Sequence, residues 1–198
     1  MVEIDETASN ILEKLSTILE KPYQALGLGA GLAFVLLLLY HLAYIGDGYF
    51  GPFFTFLHVV SGITWIGLLY YFNLVQIPTM PNIPADLKPA IGKYIAPEAL
   101  FWFRWSALAT VVTGLIVFAT SSAVHNFTII TGMLIGLLMA FNVWFIIWPN
   151  QQKVLGLVPA DDESKLKAAR LAMLTSRANF VLSIPMLYCM VTARLLVG

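Results

Sequence analysis

Residues 127–148 read FTIITGMLIGLLMAFNVWFIIW and carry no charged side chain. About 20 consecutive apolar residues in a helix are long enough to cross the hydrocarbon core of a bilayer. Four more stretches of similar character lie at 24–45, 52–76, 99–119 and 177–197. Backbone polar groups must be paired inside lipid, and a helix pairs them within one segment. The sequence therefore predicts five transmembrane helices.

The composition supports an all-α integral membrane bundle. The 198 residues are 59% hydrophobic and only 11% charged, whereas soluble domains carry about 25% charged residues. A formal net charge of zero gives no electrostatic reason to expect a nucleic acid as partner. With Cys189 as the single cysteine, the chain has neither an intramolecular disulfide nor a Cys-x-x-Cys-His haem-attachment motif. The lipid bilayer is the expected partner, and the oligomeric state is left open.

The N-terminal segment has the pattern of a surface helix rather than of a sixth span. Over residues 3–21, apolar side chains recur on one face while charged side chains take the other. This arrangement is typical of a helix that lies in the membrane interface. We therefore predict an amphipathic interfacial helix at 1–22 and a five-helix transmembrane domain at 23–198. A solvated, poorly ordered terminus is the alternative.

Two connections between the predicted spans are long. Residues 149–176 are rich in charge and predict a water-exposed helix that runs into the fifth span. Residues 77–98 contain half of the ten prolines, and proline interrupts helices. This second connection is therefore predicted to be an ordered but non-helical loop. Its prolines are Pro78, Pro81, Pro84, Pro89 and Pro97.

The distribution of basic residues predicts the orientation. With five spans, every one of the eleven Lys and Arg residues except Arg194 falls on the side that holds the N-terminus. Cytoplasmic loops carry the excess of Lys and Arg in membrane proteins. We therefore predict a multi-pass protein of the cell inner (plasma) membrane, with a cytoplasmic N-terminus and a periplasmic C-terminus.

All three histidines lie toward the predicted periplasmic side. His41 is near the outer end of the first span, His58 lies about two turns below the outer end of the second, and His125 is at the entrance to the fourth. Ionisable groups inside spans suggest functional sites, and neutral imidazole is a common axial ligand of haem iron. The alternative is that each imidazole forms a hydrogen bond to a neighbouring helix.

The helix face that carries His58 has room for a cofactor. Ser61, Gly62 and Trp65 follow His58 at spacings of three, four and seven residues, so they share its face. The small residues would let a flat macrocycle or another helix approach closely, and the indole would pack against it. We predict a b-type haem with His58 as metal ligand, with His41 or His125 as the second ligand, and with Ser61, Gly62 and Trp65 in contact. No catalytic residue is assigned.

A second polar set lies toward the predicted cytoplasmic side. Its members are Asn73, Glu98, Arg104, Asn142, Asn150, Gln151, Arg177 and Asn179. Glu98 and Arg104 could pair. Interfacial capping and snorkelling account for most of these residues without a function, and a substrate or proton pathway is the less favoured interpretation.

Four sequence segments form a recognisable set. They are HVVSGITWIG at 58–67 continuing to YFN at 71–73, PEALFWFRW at 97–105, NVWFIIWPNQQK at 142–153, and SRANF at 176–180 with IPM at 184–186. In this order they resemble the membrane domain of the cytochrome-c-linked urate oxidases, also called urate hydroxylases. The resemblance covers roughly residues 50–192.

This resemblance implies an integral membrane redox protein that passes electrons to or from a c-type cytochrome or a larger oxidase complex. Members of that family are longer and often carry a C-terminal c-type haem domain, so the resemblance implies a shortened relative. The family places a histidine where this chain has Ala178, which implies a redox or structural role rather than urate oxidation by this chain alone. A cofactor-free accessory subunit and a small channel or transporter are the alternatives, and whether the chain is an enzyme stays open.

Overall fold

A computed structural model describes residues 6–43, 50–120 and 126–193. Within these ranges the regular structure is entirely helical. Five helices are long and apolar enough to cross a membrane, which confirms the predicted all-α fold class. The chain divides into two compact units, residues 1–49 and 50–198.

The first unit contains α1 (Glu6–Leu19) and α2 (Pro22–Ala43). Pro22 occupies the first turn of α2, where a backbone N–H has no partner within the helix and proline costs nothing. In α1, the apolar side chains of Ile11, Leu12 and Leu19 are exposed, as in an amphipathic helix whose apolar stripe faces lipid or a partner. The apolar side chains of α2 are exposed along its described length, which suits a helix surrounded by lipid tails.

The second unit is built from four long helices that form two antiparallel hairpins. The first hairpin pairs α3 (Phe50–Tyr70) with α4 (Ala96–Thr120), and the second pairs α5 (Phe127–Phe141) with α6 (Asp162–Thr192). The start of α3 contacts the later part of α4, while the residues after α3 contact the beginning of α4. The two helices of each hairpin are joined by a long connection, residues 71–95 in the first and 142–161 in the second.

The core of this unit lies between the two hairpins. Trp65, Leu69 and Phe103 from the first hairpin pack in one cluster with Met139 and Val143 from the second, and each is at most 2% exposed. Large apolar side chains elsewhere on the four helices point outward and are well exposed. An apolar exterior around a packed core is what a helical bundle in lipid requires, since lipid tails are as apolar as the core.

The prediction of a non-helical loop over residues 77–98 is wrong. After α3 the chain continues through a π-helical segment (Tyr71–Gln76), a short α-helical turn (Ile77–Thr79) and a 3₁₀ turn (Met80–Asn82). It resumes helical structure at Lys88–Ala90 and at a second π-helical segment, Ile91–Ile95, which leads directly into α4. Only residues 83–87 of this connection lie outside a helix.

The prolines widen these helices instead of ending them. Each of three π-helical segments stops two residues before a proline, namely Gln76 before Pro78, Ile95 before Pro97 and Ile147 before Pro149. Proline has no N–H, and its ring crowds the carbonyl four residues earlier. In a π-helical turn the carbonyl of residue i accepts from the N–H of residue i+5, so the helix can continue through the proline. The third of these segments (Asn142–Ile147) continues α5 into Trp148–Val154.

The prediction of a water-exposed helix over residues 149–176 that runs into the fifth span is confirmed from Asp162 onward. Residues 148–154 instead continue the preceding helix, and residues 155–161 lie outside a helix. α6 is one continuous helix from Asp162 to Thr192, and its first turns carry exposed ion pairs of Lys165 with Asp162 and of Lys167 with Glu163. Asp161 caps its N-terminus by accepting a hydrogen bond from the Ser164 backbone N–H at 2.7 Å. This cap satisfies a donor that has no partner within the helix.

Candidate functional site

A cavity of about 570 Å³ lies between the two hairpins of the second unit. Its volume is in the range of sites that bind cofactors and other small molecules, about 300–1,000 Å³. All four long helices contribute to its walls, and nearly all of the lining is apolar. Its lining includes His58, Gly62, Trp65, Gly114, Met133 and Met190.

Small residues on facing helices keep this cavity open. Gly62 on α3, Gly114 on α4 and Gly136 on α5 all line it. Closer to the other end of the bundle, the same helices carry Leu69, Phe103 and Met139, which fill the space between the hairpins. The sequence therefore places glycines where the cavity lies and large side chains where the core is closed.

The imidazole of His58 is held by the neighbouring helix. Its Nδ1 lies 2.8 Å from the backbone carbonyl oxygen of Thr110. A carbonyl oxygen only accepts hydrogen bonds, so Nδ1 must carry the proton and donate it. In the neutral imidazole the lone pair then belongs to Nε2. The contact fixes both the tautomer and the orientation of a ring that lines the cavity.

Gly114 makes this arrangement possible. It lies one helical turn after Thr110, directly beneath the His58 ring. A Cβ atom at position 114 would stand 2.8 Å from Cε1 and 3.0 Å from Nδ1 of His58, distances that non-bonded carbon and nitrogen atoms do not tolerate. Only glycine leaves space here for the ring to reach the Thr110 carbonyl.

Trp65 lines the cavity and carries a buried polar atom. Its side chain is 2% exposed, and its indole Nε1 is buried with no hydrogen-bond partner among the described residues. An unpartnered buried N–H costs about 1–3 kcal/mol relative to a satisfied one. The cavity thus combines a ring nitrogen that has a free lone pair with apolar walls.

The structure brings three of the predicted contact residues together, and Ser61 is not one of them. His58, Gly62 and Trp65 line the same cavity. Ser61 donates its hydroxyl to the Leu57 carbonyl of its own helix at 2.8 Å and is not among the lining residues. His125 lies outside the described residues. His41 lies in α2 of the first unit, where only its backbone is described, so both predicted second ligands remain predictions.

The described side chains do not form a metal site by themselves. Across residues 6–43, 50–120 and 126–193, no group of three or more His, Cys, Asp or Glu side chains is close enough to hold an ion. An iron at His58 would therefore need most of its ligands from a macrocycle, as in haem.

A network of amides lies on the side of the core away from the cavity. Asn179 is completely buried. Its Oδ1 accepts from Asn142 Nδ2 at 2.8 Å, and its Nδ2 donates to the Met139 carbonyl at 2.9 Å. Asn73 on the first hairpin donates to Ser176 Oγ on the second at 3.0 Å. These bonds tie the two hairpins together and explain why Asn73, Ser176 and Asn179 are tolerated in the core.

Sequence reasoning missed this network, because it assigned the same amides to interfacial capping. The available signal was that Asn73, Asn142 and Asn179 lie within or beside apolar runs, where a buried polar group needs a partner. Arg104, expected as a partner of Glu98, lies with its guanidinium 3.7 Å from the centre of the Trp148 ring. Glu98 Oε1 accepts a hydrogen bond from Trp102 Nε1 at 3.1 Å.

Comparison with known proteins gives one match. The profile of a family described as urate oxidase N-terminal matches residues 120–196, less than half of the chain. Comparisons with curated proteins and with solved structures gave no match. The matched region contains the 142–153 and 176–186 segments but not His58. Residues 120–196 are therefore similar to the urate oxidase N-terminal family, in agreement with the resemblance seen in those two segments.

Proposed function

We propose that the second unit is a membrane redox protein that holds a b-type haem in the cavity beside His58. The observation that carries the proposal is the hydrogen bond from Nδ1 to the Thr110 carbonyl at 2.8 Å. Histidines that ligate metals commonly donate their other ring N–H to a carbonyl or carboxylate, which orients the ring. His58 has this arrangement, with Nε2 left as the ligating atom.

The rest of the lining suits a flat apolar cofactor. Gly62 and Gly136 leave room in the cavity, and its apolar walls would limit the access of water to a bound haem. The Trp65 side chain would form part of the wall against which the bound molecule packs. A haem in this position would supply one-electron transfer. The chain's own contribution would be to ligate, orient and dehydrate it.

The second axial ligand is an open part of this proposal. His41 and His125 are the candidates that the sequence offers. The structure adds Met133, which lines the cavity from α5, and methionine paired with histidine is an established haem ligand set. Substituting His41, His125 and Met133 one at a time and recording the spectrum of each variant would identify the ligand.

We further propose that electrons pass to or from a c-type cytochrome or a larger oxidase complex at the periplasmic face of the inner membrane. The support is the distribution of Lys and Arg in the sequence, with Arg194 alone on the opposite side. A periplasmic reporter fused after Gly198 should be active, and one inserted at Ala160 should be inactive. The opposite result at both positions would overturn this orientation.

A cofactor-free accessory subunit is the second candidate. It is favoured by the same hydrogen bond, since donation to Thr110 already gives the imidazole one partner. Haem binding requires the free lone pair on Nε2 of His58, whereas the role of an accessory subunit does not. A small channel or transporter has weaker support, because the described in-span polar groups are mostly neutral amides that pair with one another.

The test is a His58→Gly variant with imidazole added back. Wild-type protein supplied with haem should show a Soret band, and the variant should lose it while still inserting and folding. Free imidazole should restore the band, because the space left by the side chain can admit a replacement ligand. Ser61→Ala is the matched control on the same helix and should keep the wild-type spectrum. Equal spectra for wild type and His58→Gly would overturn the assignment.

A further inference from the structure

The π-helical segment Tyr71–Gln76 leaves oxygen acceptors without donors inside the second unit. It follows α3 on the side of the core away from the cavity, beside the amide network. Three oxygens are involved, namely the backbone carbonyl and side-chain Oδ1 of Asn73 and the side-chain Oε1 of Gln76. They lie within four residues, which span about 5 Å along a helix axis.

Pro78 removes the regular helical donor of the Asn73 backbone carbonyl. In an α-helix it would accept from Ile77, but the Ile77 N–H donates to Phe72 instead. In a π-helix it would accept from residue 78, which is proline and has no N–H. Neither regular pattern can therefore supply a donor to this carbonyl.

The side-chain oxygens are unpaired for a different reason. Asn73 Nδ2 donates to the Leu69 carbonyl at 2.9 Å and to Ser176 Oγ at 3.0 Å. The carbonyl can only accept, so the amide orientation is fixed and Oδ1 is the atom left over. Asn73 is 8% exposed. Its Oδ1 and the Oε1 of Gln76 are both buried without a partner in the described part of the chain.

Two buried side-chain oxygens, on the same short segment as the displaced Asn73 carbonyl, favour the binding of a donor or a cation. Each unmet acceptor costs about 1–3 kcal/mol, and these acceptors are all neutral oxygens. Mg²⁺ and Ca²⁺ are usually bound with carboxylates, which none of the three groups provides. Carbonyls freed where a membrane helix departs from the α-helical pattern coordinate Na⁺ in transporters. We propose that Asn73 and Gln76 form a binding site for a monovalent alkali cation.

This site is independent of haem binding. It lies on the opposite side of the closed core from the His58 cavity and uses none of the cavity residues. A cation bound there would stabilise the widened helix and the contact of Asn73 with Ser176. The site therefore predicts a cation dependence of stability even in protein without any cofactor.

The test compares thermal unfolding of the full chain in detergent in NaCl, KCl and choline chloride at equal ionic strength. A ligand that binds only the folded state raises the midpoint, here by about 3 °C in NaCl or KCl relative to choline chloride. Gln76→Met removes one oxygen while keeping the side-chain length, so this shift should shrink or vanish. Gln24→Met, on an exposed glutamine of the first unit, should keep it.

Pro78→Ala and Pro149→Ala form a matched pair. The first restores an N–H donor opposite the Asn73 carbonyl and should abolish the cation-dependent shift. The second makes the same change after the π-helical segment Asn142–Ile147 and should leave the shift intact. Identical midpoints for wild type in all three salts would overturn the proposal, because buried water molecules alone would then satisfy these oxygens. A shift that survives both Gln76→Met and Pro78→Ala would also overturn it.

Discussion

The two halves of the four-helix unit differ in how side chains fill the space between the helices. In the cavity half, around His58, Gly62 and Gly114, small residues leave space unfilled between the helices and one imidazole bridges α3 to α4. In the amide half, around Asn142 and Asn179, large apolar side chains fill the space and neutral amides connect the helices. One sequence thus builds a closed end and an open end. The difference shows that local side-chain size decides where the bundle is filled and where a cavity remains.

The largest expected effect is on the amide half. Asn179→Leu keeps the side-chain size but leaves Asn142 Nδ2 without its acceptor and removes the side-chain hydrogen bond to the Met139 carbonyl. We expect the free energy of unfolding to fall by about 2 kcal/mol, measured by unfolding in mixed micelles. Asn150→Leu is the control, because the Asn150 side chain donates only to the Ile146 carbonyl of its own helix. Equal losses for the two variants would contradict a special role for the network.

The next effect is on the cavity half. Gly114→Ala introduces a Cβ that would stand 2.8 Å from His58 Cε1, so the ring must leave the Thr110 carbonyl. We expect a loss of stability of about 1 kcal/mol and, if haem binds, at least a tenfold loss of haem affinity. The measurement is haem titration followed by absorption.

The control for Gly114→Ala is a substitution at Gly67, which lines the same cavity. An alanine Cβ at Gly67 meets nothing within 4 Å, so Gly67→Ala should bind haem as wild type does. Its helix should be stabilised by about 0.5–1 kcal/mol, because alanine is the better helix former. Equal haem binding by Gly114→Ala and wild type would show that haem binding does not depend on the position of the His58 ring.

The smallest effect lies outside both halves, at the start of α6. Hydrogen bonds from the Ser164 backbone N–H and hydroxyl to the Asp161 carboxylate lower the pKa of Asp161. A lowered pKa means that the cap is fully effective above the unfolded value of about 3.9 and is lost as the pH falls through the folded value. Hydrogen exchange at the Ser164 amide should therefore speed up below that pH, beyond the ordinary pH dependence of exchange.

Two variants check this assignment. Asp161→Asn keeps a capping oxygen but cannot titrate, so the added acid sensitivity should disappear. Asp162→Asn, which removes only the exposed pairing with Lys165, should retain it. Acid sensitivity that persists in Asp161→Asn would assign the effect to another group.

A structural feature can be predicted from the sequence when it depends on residues within one segment, and not when it depends on how different helices meet. The five long helices depend on the length of apolar runs, and the chain shows them where they were expected. The helical connection over residues 77–98 was missed, because proline was taken as a helix breaker, whereas at Pro78 and Pro97 the helix widens and continues. Pairings such as Asn142 with Asn179 join different helices, so no spacing within one segment reveals them.

The candidate site likewise has a part that the sequence predicts and a part that it does not. The shared face of His58, Gly62 and Trp65 follows from helical periodicity and could be predicted. Gly114 could not, because its importance comes from the ring of a residue on another helix. The cavity itself depends on how two hairpins meet, which is a property of the packed molecule.

The most direct test of the central claim is a reduced-minus-oxidised absorption spectrum of the wild-type full chain purified from cells supplied with ample haem. We expect a Soret band that shifts on reduction, with about one haem for each folded chain. A folded, inserted protein without Soret absorption would contradict the claim. His58 would then be a residue whose hydrogen bond to Thr110 joins two helices.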